Sequence, residues 1–70
     1  MRLTRHARRR LRLYRLSEAD VSETLIASEE GDFDEHDNPR FTASVRGRRI
    51  VVVVAKDQPD LVITAYTRRP

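Results

Sequence analysis

Phe41-Thr42-Ala43-Ser44-Val45-Arg46-Gly47-Arg48-Arg49-Ile50-Val51-Val52-Val53-Val54-Ala55 is the stretch on which the fold turns. Phe41, Ala43 and Val45 alternate with Thr42, Ser44 and Arg46, the period of two that gives a strand one buried and one open face. Gly47-Arg48 suits a two-residue type II′ hairpin turn. Arg49 to Ala55 is apolar on both faces and so predicts a central strand, with Arg48, Arg49 and Lys56 as charged guards against aggregation. Lys56-Asp57-Gln58-Pro59-Asp60 forms the next turn, and Leu61 to Thr67 a third strand. Connections this short make the three strands antiparallel neighbours.

Toward the N-terminus the period changes. Leu3, Ala7, Leu11 and Tyr14 fall on one helical stripe, and Arg5, Arg8, Arg9, Arg12 and Arg15 cover the other side. Ser17-Glu18-Ala19-Asp20 reads as a capping box, with Leu16 and Val21 placed for a hydrophobic staple, so a second helix follows almost without a linker. It runs to about Ser28 and Gly31 ends it. Residues 29–38 are acidic, aperiodic and rich in turn formers, and read as a loop that Phe33 anchors. The expectation is a single domain over residues 1–70, with a helix pair at 1–28, an acidic loop at 29–38 and an antiparallel sheet at 40–67. Its class is α+β, with two N-terminal helices packed on one face of a three-stranded antiparallel β-meander. The other sheet face stays open. Either Val51 and Val53 or Ile50, Val52 and Val54 then lie on it as exposed apolar surface, which suits a homodimer.

Composition narrows the chemistry. A chain of 70 residues buries only about 60% of the surface that its unfolded form exposes, which disfavours a pocket enclosing a large cofactor. With no cysteine there is no disulfide, no thiolate nucleophile and no sulfur-built zinc site. The longest purely apolar run, Ile50 to Ala55, is far below the roughly 18 residues of a membrane helix, so the expected setting is cytoplasmic with no membrane partner. The basic, acid-free start has the character of a transit peptide. It is read as part of the domain because without it one helix would be left to cover the sheet.

The formal net charge of +3 conceals segregation. Residues 1–15 hold seven arginines (Arg2, Arg5, Arg8, Arg9, Arg10, Arg12, Arg15) and no acid. Residues 16–38 hold nine acids and no lysine or arginine. Residues 39–70 hold Arg40, Arg46, Arg48, Arg49, Lys56, Arg68 and Arg69 against Asp57 and Asp60. Such asymmetry predicts a basic surface for an anionic partner, nucleic acid above all, with the acidic segment placed elsewhere.

His6 lies at the edge of the apolar stripe, with Arg9 and Arg10 at i+3 and i+4, and it is the residue type suited to accept a proton near neutral pH. Thr64, Tyr66 and Arg68 share one face of the third strand; Thr42, Ser44 and Arg46 share the polar face of the first. If these are one face, hydroxyls, a phenol and guanidiniums meet there, a set suited to a phosphodiester. RNA cleavage needs a base for the 2′-hydroxyl, a cation for developing charge and an acid for the leaving oxygen. His6, Arg46, Thr64 and Tyr66 are the catalytic candidates; Arg9, Arg10, Arg46 and Arg68 are the RNA-binding ones. Asp32, Asp34 and His36 resemble only the start of a calcium loop, since Asp37 stands where glycine and Ala43 where a bidentate glutamate would be needed. No metal and no cofactor is expected.

Leu3-Thr4-x-His6-Ala7-x-x-Arg10, then Leu16-Ser17-Glu18-x-Asp20-Val21, then a valine-rich strand and Val62-Ile63-Thr64-Ala65-Tyr66, resembles a family of small bacterial domains with a His-Ala-x-x-Arg opening and a Val-Ile-Thr-x-Tyr last strand. That family is similar to BrnT and RelE/ParE type toxins, within the wider barnase, EndoU, colicin and RelE group of metal-independent ribonucleases. The resemblance implies a RelE-like fold and marks His6, Arg10, Thr64 and Tyr66. It implies mRNA, tRNA or ribosome-associated RNA as substrate and a cognate antitoxin covering the open sheet or the basic face. The family's usual glycine after the first helix is here replaced by Tyr14-Arg15-Leu16. The expected function is RNA binding with metal-independent endoribonuclease activity of the toxin–antitoxin type; the alternative is a non-catalytic protein-interaction or dimerisation module using the open sheet face.

Overall fold

Ile50, Val52 and Val54 stand at the centre of a five-stranded sheet, fully or almost fully buried. The computed structural model describes residues 1–28 and 30–68, the side chain of Glu30 excepted. Glu29 of the expected loop and Arg69 of the basic third block lie outside them. Along the chain come β1 (Arg2–Leu3), α1 (Arg5–Tyr14), α2 (Glu18–Ala27), β2 (Glu30–Phe33), β3 (Pro39–Val45), β4 (Arg48–Ala55) and β5 (Gln58–Arg68). The strand order is β1-β5-β4-β3-β2. β1 runs parallel to β5; all other neighbours are antiparallel.

The α+β class stands, but the three-stranded antiparallel meander is corrected to a mixed five-stranded sheet. Each added edge escaped the periodicity for a physical reason. β1 is two residues long, too short to display a period, and Leu3, expected on the helical stripe, pairs instead with Val62. β2 was hidden by Gly31 and its acids, residues depleted in strands. At an edge they are tolerated, because one flank faces water and Asp32 lies directly opposite Arg40. Beyond β2, Asp34 accepts from the backbone N–H of His36 and of Asn38, both at 2.8 Å, and so shapes the hairpin to β3.

Two turn readings also shift. The β3–β4 turn is Arg46-Gly47, both with positive φ (50° and 78°), so Arg46 leaves the strand and the turn is of type I′ rather than II′. β5 begins at Gln58, with register irregularities opposite Val53 to Ala55. Both helices form, but α2 ends at Ala27 with Ser28 as its cap, and Gly31, expected to end it, lies in β2. Thr4 caps α1, accepting from Ala7 N at 3.0 Å while its own hydroxyl donates to Ile63 O at 2.9 Å. Arg15 closes α1 in the left-handed region (φ 56°), with Arg15 N bonded to Arg12 O and Leu16 N to Leu11 O. Ser17 and Asp20 then make the capping box of α2.

α1 lies over β5, and α2 over β3 and β4. Between helices and sheet, Ala7, Leu11, Leu16 and Val21 pack on Ala43, Val45, Ile50, Val52, Val54, Val62 and Ala65. Val51 and Val53 alternate onto the other face, where no helix lies. They are nevertheless 0% and 3% exposed, so the expected apolar surface is not there. Thr42 and Tyr66 flank Val51 in register, Arg40 and Thr64 flank Val53, and these amphipathic side chains close over the valines.

Candidate nucleic-acid interface

The sheet divides the basic residues into two groups. On its helix side, Ala7 and Leu11 anchor α1, and helical geometry then turns Arg5, Arg8, Arg9 and Arg12 outward. All four are exposed, and none makes a side-chain hydrogen bond or ion pair with a described residue. No acid stands in the first turn of α1 to offset them. His6 is exposed at the margin of this face, where Arg10 Nε donates to its Nε2 at 3.4 Å. Arg8 and Arg12 also line an open groove of ≈ 690 Å³ beside Leu11 and Leu16.

Other arginines are matched by carboxylates. Arg2 bonds Asp60 at 2.9 and 3.1 Å, which holds the Asp60 carboxyl below its usual range. Arg40 donates twice to Asp32, at 2.8 and 2.6 Å; the pairing lowers the Asp32 pKa and raises that of Arg40, to which the Tyr66 hydroxyl also contributes. Arg46 ion-pairs with Asp20 and, at 2.6 Å, with Glu23. Arg48 reaches Asp20 at 3.2 Å and Tyr14 O at 3.0 Å. Asp20 and Glu23 of α2 therefore neutralise the β3–β4 hairpin, while Glu18 lines the groove shared with Arg8 and Arg12 without an ion pair to either.

The far side of the sheet carries Thr42 and Ser44 from β3, Arg49 from β4, and Thr64, Tyr66 and Arg68 from β5 on one face, as their register requires. The expected sharing of a face by Thr42, Ser44, Thr64, Tyr66 and Arg68 is thus met, whereas Arg46 sits in its turn and faces α2. His6 is on the helix layer and Tyr66 on the opposite face, so the sheet separates the two. Arg9 and Arg10 belong with His6; Arg68 and Thr64 belong with Tyr66.

Arg40, Arg49 and Asp32 were missed as site residues by sequence reasoning. The pairing of β4 with β5 sets Arg49 opposite Arg68, the pairing of β2 with β3 sets Asp32 opposite Arg40, and neither register is written in local periodicity. Several residues of the family-like pattern hold the fold: Thr4 and Ser17 as caps, Asp20 in the capping box, Ala7 and Val21 in the core. Among the described residues no three His, Asp or Glu side chains gather to hold a metal, and no helix is long and apolar enough to cross a membrane.

The family model of a domain of unknown function, DUF4258, matches residues 3–67. No curated protein and no solved structure matches the chain.

Proposed function

The chain belongs to the DUF4258 family, and from that premise we propose that it binds RNA, with the phosphate backbone lying along the arginine face of α1. The observation that carries this reading is the contrast between Arg5, Arg8, Arg9 and Arg12, exposed and unpaired among the described residues, and Arg2, Arg40, Arg46 and Arg48, each held by an acid. Unneutralised guanidiniums along two helical turns offer several phosphates a contact at once, and releasing the counterions of a nucleic acid drives association. Arg10 and His6 extend this face, and His6 is the group there able to take a proton from a 2′-hydroxyl. On this reading cleavage is metal-independent and toxin-like, and an antitoxin would oppose it by laying acidic residues on α1.

A protein-interaction role draws on a different observation. β1 covers only Leu61 and Val62 of β5, so beyond them the outer edge of β5 pairs with no described strand and can take one from a partner or a second copy.

Salt separates these readings. Four phosphate contacts to a single-stranded RNA give a slope of log affinity on log salt of about −2.8, a loss of about 50-fold between 50 and 200 mM. Fluorescence anisotropy of a labelled RNA measures it. The double variant Arg5→Gln, Arg9→Gln reduces the slope by about 1.4. Absence of binding at low salt defeats the proposal, and an unchanged slope in the double variant removes the interface from α1.

A further inference from the structure

The sheet face away from the helices holds a charge arrangement that folding alone does not favour. Arg49 and Arg68 are register partners across β4 and β5, so their side chains leave the same face with Cβ atoms about 5 Å apart. Like charges placed so oppose strand pairing. Neither has a carboxylate of its own among the described residues. Arg49 Nη1 donates to the neutral Ser44 Oγ at 3.3 Å, and the Arg68 side chain makes no hydrogen bond or ion pair with a described residue. Asp32 acts on Arg68 only at a distance, because both its oxygens are held by Arg40. The two guanidiniums, the Thr42 and Ser44 hydroxyls and Asp32 line one open groove of ≈ 620 Å³.

We propose that Arg49 and Arg68 form a fork for a phosphate monoester seated in this groove, with Ser44 and Thr42 as further donors. A dianion between two guanidiniums turns their repulsion into a bridge, and its several oxygens match planar donor pairs that a single carboxylate leaves half used. Tyr66, two residues from Arg68 on the same face, offers a ring against which a nucleobase stacks. The site is independent of the α1 reading, since the sheet lies between them.

Thermal unfolding of the full chain tests it, with sodium phosphate compared against sodium chloride at equal ionic strength, and AMP against adenosine. At ten times its dissociation constant, phosphate raises the wild-type midpoint by about 6–11 °C. R68Q and R49Q each weaken phosphate binding about tenfold or more. In phosphate-free, low-salt buffer both variants unfold at or above the wild-type midpoint, because each removes one of two facing like charges. AMP binding tighter than phosphate identifies a nucleotide as the source, and equal affinity identifies phosphate alone; either supports the fork. An equal phosphate response in wild type and R68Q overturns it, as does a lowered midpoint of both variants without phosphate. The Arg5→Gln, Arg9→Gln variant keeps the response; losing it moves the anion to α1 and defeats the fork. Failure to bind RNA together with an intact phosphate response defeats only the α1 reading.

Discussion

Asp20 carries more of the structure than any other charged residue. Its carboxylate is buried, accepts from Ser17 N at 2.9 Å and ion-pairs with Arg46 and Arg48, while its backbone carbonyl accepts from the buried Thr24 hydroxyl at 2.8 Å. One side chain thus caps α2 and ties it to the β3–β4 hairpin. Asp20→Asn leaves two guanidiniums without their shared anion, and urea denaturation is expected to show a loss of about 2–4 kcal/mol. The backbone bond from Ser17, aided by the two arginines, holds the Asp20 carboxyl below its ordinary value. A depressed folded-state pKa means stability that is fully present above the usual carboxylate range and is lost as pH falls through the folded value. Denaturation midpoints followed from pH 5 downward should therefore fall in wild type and fall less in Asp20→Asn; parallel curves would exclude Asp20 as the titrating group.

At the scale of elements, the junction between the helices was the most legible feature. The stripe through Ala7, Leu11 and Tyr14 and the box Ser17-x-x-Asp20 are local patterns, and local hydrogen bonds realise them. What local pattern did not convey is that Arg15 occupies the left-handed position that glycine takes at helix ends. An L-residue there costs about 1 kcal/mol. Arg15→Gly should raise stability by up to that amount in chemical denaturation, with the circular dichroism of α1 unchanged. A loss would mean that the arginine side chain contributes more than its strained backbone costs. β2 shows the opposite case: its sequence reads as a loop, and β3 makes it a strand by offering Arg40 opposite Asp32.

Across the whole molecule the sheet acts as a partition. His6 and Tyr66 were natural candidates for one acid–base pair, and the topology sets them on opposite faces. If RNA is cleaved in EDTA, His6→Ala is expected to lower the rate by about 10²–10⁴-fold, whereas Tyr66→Phe leaves it within about twofold. Equal losses in both variants would place the scissile phosphate elsewhere. The sequence by itself determined the α+β class, the helix pair, the central valine strand and the segregation of charge, because periodicity, capping and composition act within a few neighbouring residues. Only the tertiary structure decided that β1 and β2 complete the sheet, that Arg46 is spent on Asp20 and Glu23, and that Arg49 faces Arg68. Those outcomes depend on strand register and on which face each side chain leaves, and both are set by pairing between distant segments.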